Sequence, residues 1–325
     1  MIKIVVDTLG ADAGLEPIVT GVARALAEGT EFYPVLVGPE EELQRILNLH
    51  NIAPTQYEIV DATAFVSNED APTCVFGGAD DTTMVRAYSR LKADPECGAM
   101  LSAGNTGALL VGSICRLGLF PGLKFPALLS ALPCNGENLL CLVDCGANIE
   151  CTAEDLVRFA KMGSAFAKSY CGIESPRVGL MSVGRERQKG TALIQEAYTR
   201  ISQQDLNFVG NVEGSDLVTD YVDVVVTDGF SGNLLLKCAE SVGKAAAKIV
   251  ERYGKGVPEM EKCRQVLLET FDFNSRGAAT FLGPKKTVVK MHGQANADTV
   301  VASIKQVLQL EKTGFTQAVA EELNK

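Results

Sequence analysis

The chain has 325 residues, 46 % of them hydrophobic and 22 % charged, a net charge of −10 and two histidines. That length accommodates one large or two ordinary domains, and the composition is globular rather than disordered or fibrous. The acidic balance argues against general nucleic-acid binding, and His50 and His292 are too few for a multi-histidine metal site.

The opening run Met1-Ile-Lys-Ile-Val-Val-Asp7 reads as a buried strand without a basic-then-apolar leader, so a cytoplasmic protein is expected. Strands are expected at 2–6, 33–37, 57–60, 99–102, 127–132, 139–143, 178–181, 207–209, 223–226 and 287–290. Helices are expected between them at 17–28, 40–49, 82–92, 106–117, 153–170, 191–202 and 233–253, then at 258–271 and 298–310. Several strands are continuous apolar runs, as when helices cover both sheet faces. The pattern is α/β, a largely parallel sheet sandwiched by helices.

No linker, internal repeat or low-complexity tract divides the chain. Residues 1–325 read as a single α/β unit, or as two subdomains sharing a sheet and a cleft. The stretch from Cys97 to Cys115 carries no charge, but its middle, Ser102-Ala-Gly-Asn-Thr-Gly107, would put polar groups at bilayer depth. A strand, a glycine turn and a buried helix fit it better than a membrane span. The ten cysteines form no C-x-x-C and read as small buried hydrophobes in a reducing compartment, with no metal site expected.

Ligands of parallel α/β sheets bind beyond the carboxyl ends of the strands. Five glycine-rich junctions fall there: Asp7-Thr-Leu-Gly10, Ser102 through Gly104, Asn105, Thr106 and Gly107, Asp144-Cys-Gly-Ala-Asn148, Ser182-Val-Gly184, and Asp228-Gly229-Phe-Ser-Gly232-Asn233. Each alone is ordinary turn chemistry. Together they suit a phosphate-sized anion, because glycine lets main-chain N–H groups approach it and a following helix start adds partial positive charge. The Rossmann and Walker spacings are absent from these junctions. Arg185, Arg187 and Lys189 follow the 178–181 strand, and Lys189-Gly190 before a helix suits an anion cradle; a solvated loop of surface cations is the alternative. Asp228 reads equally as a general base, an orienter of Lys189 or a helix cap. His292 before Gly293 reads first as a turn residue, and His50 as the residue closing the 40–49 helix.

These segments resemble the PlsX family, the acyl-[acyl-carrier-protein]:phosphate acyltransferases. The resemblance rests on Asp7-x-x-Gly10-x-Asp12, Asp81-Thr-Thr-Met84, Ser102-Ala-Gly-Asn-Thr-Gly107 and Asp144-x-Gly-Ala-Asn148. It continues through Phe159-Ala-x-Met-Gly-Ser164, Pro176-Arg-Val-Gly-Leu180, Lys189-Gly190 and Asn207-Phe-x-Gly-Asn-Val-Glu-Gly214. Asp223 to Asn233, Gly277-Ala278 and Lys290-x-His292-Gly293 complete it, so nearly the whole chain is covered. Departures lie at Phe76–Asp80, at Ala11 with Gly14-Leu-Glu16, at Arg185–Gln188 and at Ala278–Phe281.

The resemblance implies transfer of an acyl group from acyl carrier protein to inorganic phosphate, in phospholipid synthesis, without metal or nucleotide cofactor. It implies an isocitrate/isopropylmalate-dehydrogenase-like fold, a homodimer, and a helical hairpin (233–272) for dimer, membrane or carrier contact. On this basis Lys189 and the N–H groups near Asn105–Gly107 are expected to hold phosphate. Asn148, Asn233 and His292 are expected to line the same cleft, and Asp228 to position Lys189 or manage a proton. Two alternatives stay open: a diverged paralogue using short-chain acyl-CoA or another carrier, and a non-catalytic relative that binds the carrier. In the hairpin, Val242, Ala246, Ile249 and Tyr253 share one helical face and Lys244, Lys248 and Arg252 another. Seven cations against four carboxylates from Lys237 to Arg264 suit an acidic carrier or weak contact with anionic lipid.

Overall fold

The computed structural model describes residues 1–77, 80–134, 138–271 and 278–325. Gly277 and the middle of Phe76–Asp80, both singled out above, lie outside the described residues. In chain order the elements are β1 (Lys3–Asp7), α1 (Glu16–Ala27), β2 (Tyr33–Gly38), α2 (Glu40–Leu49), β3 (Glu58–Asp61), α3 (Thr83–Ala93), β4 (Cys97–Ser102) and α4 (Thr106–Gly112). They continue with β5 (Ala127–Pro133), β6 (Leu139–Val143), α5 (Ala153–Cys171), β7 (Val178–Met181), α6 (Ala192–Ile201), β8 (Phe208–Val212), β9 (Val224–Val226), α7 (Gly229–Tyr253) and α8 (Pro258–Phe271). Last come β10 (Ala279–Leu282), β11 (Thr287–Lys290), α9 (Ala297–Lys312) and α10 (Phe315–Asn324).

The chain forms two compact units, Met1–Pro126 with Arg276–Ala320, and Ala127–Ser275 with Glu321–Lys325. In the first, the strand order is β3-β2-β1-β4-β11-β10. Only β10 runs antiparallel, hairpinned to β11. The alternation of strand and helix enforces this, because each parallel step needs a helical crossover. Ile4, Val6, Leu36, Leu101 and Val289 from the strands pack with Ile18, Val22, Leu43, Ile46, Val300 and Ile304 from the helices into one buried cluster. Gly21 lets α1 lean directly on α9, since a Cβ there would stand 2.5 Å from Val300 Cβ.

In the second unit the order is β5-β6-β9-β7-β8, antiparallel only between β5 and β6. Its strands bury Leu140, Leu142, Leu180, Val224 and Val226, with Phe159, Phe166 and Met162 from α5. On α7, Gly243 turns toward α8, where a Cβ would stand 2.1 Å from Phe271 Cβ, while Val242, Ile249 and Tyr253 are exposed.

Four elements differ from expectation. Helix α7 begins at Gly229 rather than at 233, because Asp228 caps it and its first turn starts at Gly229. The 106–117 helix is α only to Gly112 and finishes as a π turn from Ser113 to Leu117; Gly112 there abuts the Tyr88 ring, 2.3 Å from where a Cβ would be. Strand β10 and helix α10 were not expected, the first because it is a four-residue antiparallel strand in a parallel context. His50 does close α2, as its C-cap.

Candidate active site

In the first unit, three parallel strands end in register: Asp7 of β1 and Lys290 of β11 both pair with Ser102 of β4. Their carboxyl ends carry the turn Ala103–Gly107. Ser102 is fully buried, and its hydroxyl donates to Asp7 Oδ2 at 2.7 Å while accepting the Gly104 N–H at 3.0 Å. Asp7 is equally buried. Its Oδ1 has no hydrogen-bond partner, and the Thr83 hydroxyl lies near it without closing a bond of normal geometry. Burial pushes the Asp7 carboxyl up to about 6, against the Thr83 and Ser102 hydroxyls, the Leu9 N–H and, least of these, the positive charge of Lys290. Asp7 and Ser102 therefore support the turn from beneath.

Asn105 is the N-cap of α4. Its Oδ1 accepts the Ala108 N–H at 3.0 Å and its Nδ2 donates to Ser67 O at 3.0 Å. The Leu109 N–H is taken by Asn105 O, which leaves the N–H groups of Thr106 and Gly107 without an intrahelical acceptor. Gly10 adopts φ +85°, and a Cβ there would stand 3.0 Å from Gly104 Cα, so the first glycine loop lies directly against this turn. His292 follows β11 in a turn in which its Nδ1 accepts the Gln294 N–H at 3.1 Å, which puts the imidazole proton on Nε2. Its neighbour Gly293 accepts the Asp12 N–H at 2.7 Å.

In the second unit, Asp144 after β6 is fully buried and organises the next glycine loop. Oδ1 accepts the N–H groups of Leu128, Gly146 and Ala147, and Oδ2 accepts both the backbone N–H and Nδ2 of Asn148 at 2.7 Å. Burial raises its pKa and the amides oppose that rise. Asn148 O then accepts the Gly229 N–H at 2.7 Å, and no side chain fits at Gly229, where a Cβ would stand 2.5 Å from that oxygen. Asn148 is thus a brace between this loop and the start of α7. Asp228 is the N-cap of α7, with Oδ1 accepting the Ser231 N–H and Oδ2 the Ser231 hydroxyl, both at 2.8 Å. Among the described residues no hydrogen bond joins Asp228 to Lys189.

The three cations after β7 separate by environment. Arg185 is paired with buried Asp216 and lies 4.8 Å over the Tyr221 ring, and Arg187 lies 5.6 Å over Tyr198. Lys189 is exposed and makes no side-chain hydrogen bond or ion pair among the described residues. Gly190 beside it holds φ +93°, where a Cβ would meet Ile194 at 2.7 Å and Ser182 Oγ at 2.9 Å. Asn233, in the first turn of α7, is likewise exposed with its carboxamide unpartnered among the described residues. Of the six expected residues in this unit, Lys189 and Asn233 keep free polar groups. The others hold backbone in place.

Lys290, whose only sequence signal is its place in Lys290-x-His292-Gly293, also reaches the Ala103–Gly107 turn. Its Nζ donates to Ala103 O at 3.1 Å and to Met291 O. Among the described residues no group of three or more His, Cys, Asp or Glu is placed to hold a metal ion, and no helix is long and apolar enough to cross a membrane.

Comparison with known proteins bears on the fold and on the family. Solved structures that share the fold include a phosphotransacetylase from Streptococcus pyogenes (TM-score 0.62, 18 % identity, 100 % of this chain and 94 % of the other). A branched-chain phosphotransacylase from Enterococcus faecalis is similar (TM-score 0.61, 15 % identity, 95 % of this chain and 98 % of the other). Curated relatives include proteins named phosphate acyltransferase from Campylobacter concisus, 35 % identical over 100 % of this chain and 99 % of that one, and from Clostridioides difficile, 32 % identical over 99 % and 96 %. The profile of the family described as "Fatty acid synthesis protein" matches residues 2–318. The chain belongs to that family, the PlsX family.

Proposed function

We propose that the protein transfers an acyl group from the thioester of an acyl carrier protein to inorganic phosphate. A phosphate oxygen attacks the thioester carbonyl, the C–O bond forms, the C–S bond breaks, and the carrier leaves as a thiolate that takes a proton. The products are an acyl phosphate and the free carrier thiol. No serine or cysteine nucleophile is needed, because phosphate itself attacks. What chemistry requires of the protein is a desolvated, oriented anion and donors for the developing oxyanion.

The observation that carries this reading is full-length relatedness to phosphate acyltransferases combined with Lys189, whose side chain has no protein partner among the described residues. An ammonium beside glycine-freed backbone suits orthophosphate, and the N–H groups of Thr106 and Gly107 are donors of the same kind. Asn233 and His292 are read as polar contacts to substrate, and Asp228 as the residue that fixes the first turn of α7.

The same reading includes a homodimer and weak peripheral contact with anionic membrane through α7 and α8. Exposed Val242, Ile249 and Tyr253 support it, with Lys244, Lys248 and Arg252 on the same helix.

Phosphate-dependent thiol release across acyl-carrier, acyl-CoA and short-chain thioesters, with hydroxylamine trapping the product, tests the proposal. Release that requires phosphate and prefers the carrier thioester is expected; thiol release independent of phosphate overturns it.

A further inference from the structure

Lys290 ends β11 in register with Ser102 of β4, the strand whose carboxyl end leads into the Ala103–Gly107 turn. That turn has a support at nearly every residue. Ser102 Oγ accepts the Gly104 N–H, Asn105 caps α4, the Met291 N–H donates to Ser102 O at 2.8 Å, and Lys290 Nζ donates to Ala103 O at 3.1 Å. Directly beneath lies Asp7, fully buried, with one oxygen on Ser102 and the other without a hydrogen-bond partner. An ionised carboxylate under an anion-binding turn repels the anion unless a cation offsets it, and the repulsion is strong where water is excluded. Lys290 is half-buried and its charge acts on Asp7.

We propose that Lys290 is a positioning residue for orthophosphate: it fixes the Ala103 carbonyl, and so the turn that presents the Thr106 and Gly107 amides, and it cancels the field of Asp7 below them. This rests on the phosphate-binding reading given above. Lysine suits the role because a neutral donor would hold the carbonyl but leave the carboxylate uncompensated, and a hydrophobe would do neither.

The test is steady-state kinetics with orthophosphate varied, together with binding of labelled orthophosphate to the full chain by equilibrium dialysis without thioester. Lys290→Met should raise KM for phosphate at least tenfold, leave kcat at saturating phosphate within about threefold, and weaken direct phosphate binding in parallel. Lys290→Arg, which keeps charge and donors, should restore both. Adding Asp7→Asn to Lys290→Met should recover phosphate affinity, which a purely structural role would not do. If Lys290→Met does not fold, Lys290→Gln and Lys290→Arg carry the same comparison. Unchanged phosphate KM and binding in Lys290→Met or Lys290→Gln, or a fall in kcat alone, overturns the proposal. Wild-type protein that binds phosphate in dialysis but forms no acyl phosphate overturns the reaction and leaves the Lys290 comparison measurable; wild-type protein that binds no phosphate overturns both.

Discussion

Ser231 engages both carboxylate oxygens of Asp228, one through its N–H and one through its hydroxyl, each at 2.8 Å. That is the geometry of an N-cap, placed at the start of the 25-residue helix α7. Asp228→Ala should therefore cost about 1 kcal/mol of stability, whereas Asp228→Asn, which keeps an oxygen for the Ser231 N–H, should cost a few tenths. Urea unfolding of the two variants measures this. Equal losses would show that the cap contributes little.

Lys189 and Arg185 should separate function from stability. Lys189 has no side-chain partner among the described residues, so Lys189→Ala should abolish acyl phosphate formation with an unchanged melting temperature. Arg185 is the partner of Asp216, which is 3 % exposed on its side chain. Arg185→Ala strands that carboxylate and should lower the melting temperature. Thermal melts alongside turnover decide the matter, and retained turnover in Lys189→Ala removes it from the site.

Asp7 should make stability depend on pH in an unusual direction for a carboxylate. Its native pKa is about 6 against an ordinary 3.8, so between those values the folded chain binds more protons than the unfolded one. The contribution is fully present below about pH 4 and is lost as pH rises through 6. Lys290 and Tyr88 are the other titratable groups whose charge couples to it. Asp7→Asn should gain stability relative to wild type by up to about 3 kcal/mol on going from pH 4 to pH 7.5. A difference between the two proteins that stays constant across that range would contradict the assignment.

Gly10 and Gly14 both hold positive φ, +85° and +76°, but only Gly10 is crowded, with Gly104 Cα 3.0 Å from a would-be Cβ. Gly14→Ala meets nothing within 4 Å and should cost roughly 1 kcal/mol of backbone strain. Gly10→Ala should cost more, roughly 2 kcal/mol or above, and should also raise KM for phosphate by displacing the turn. Equal costs for both would mean that the two loops adjust independently.

Much of the framework was legible in the residues. β6, β7 and β11 begin and end where short, largely apolar runs do, and α2 and α8 match their periodicity. β10 was not legible, because Ala279–Leu282 gains its strand character from pairing with β11 rather than from its own pattern. The glycine junctions announced where the site's backbone turns, since glycine marks those places in any context. What each polar residue does there was not announced. Ser102 reaches Asp7 across 95 positions of sequence and Lys290 reaches Ala103 across 187, and only the sheet register brings them together. The sequence reads Asp228 equally as a base and a cap; the cap geometry, with Ser231 on both of its oxygens, is set by the fold.

The central claim is that phosphate itself displaces the carrier's sulfur. Orthophosphate fully labelled with oxygen-18, incubated with the protein and an acyl-carrier thioester, tests it most directly. The account predicts an acyl phosphate that retains all the phosphate label, the bridging oxygen included, formed in step with free thiol. Thiol release with free carboxylic acid as the product, and no label in a mixed anhydride, would contradict it.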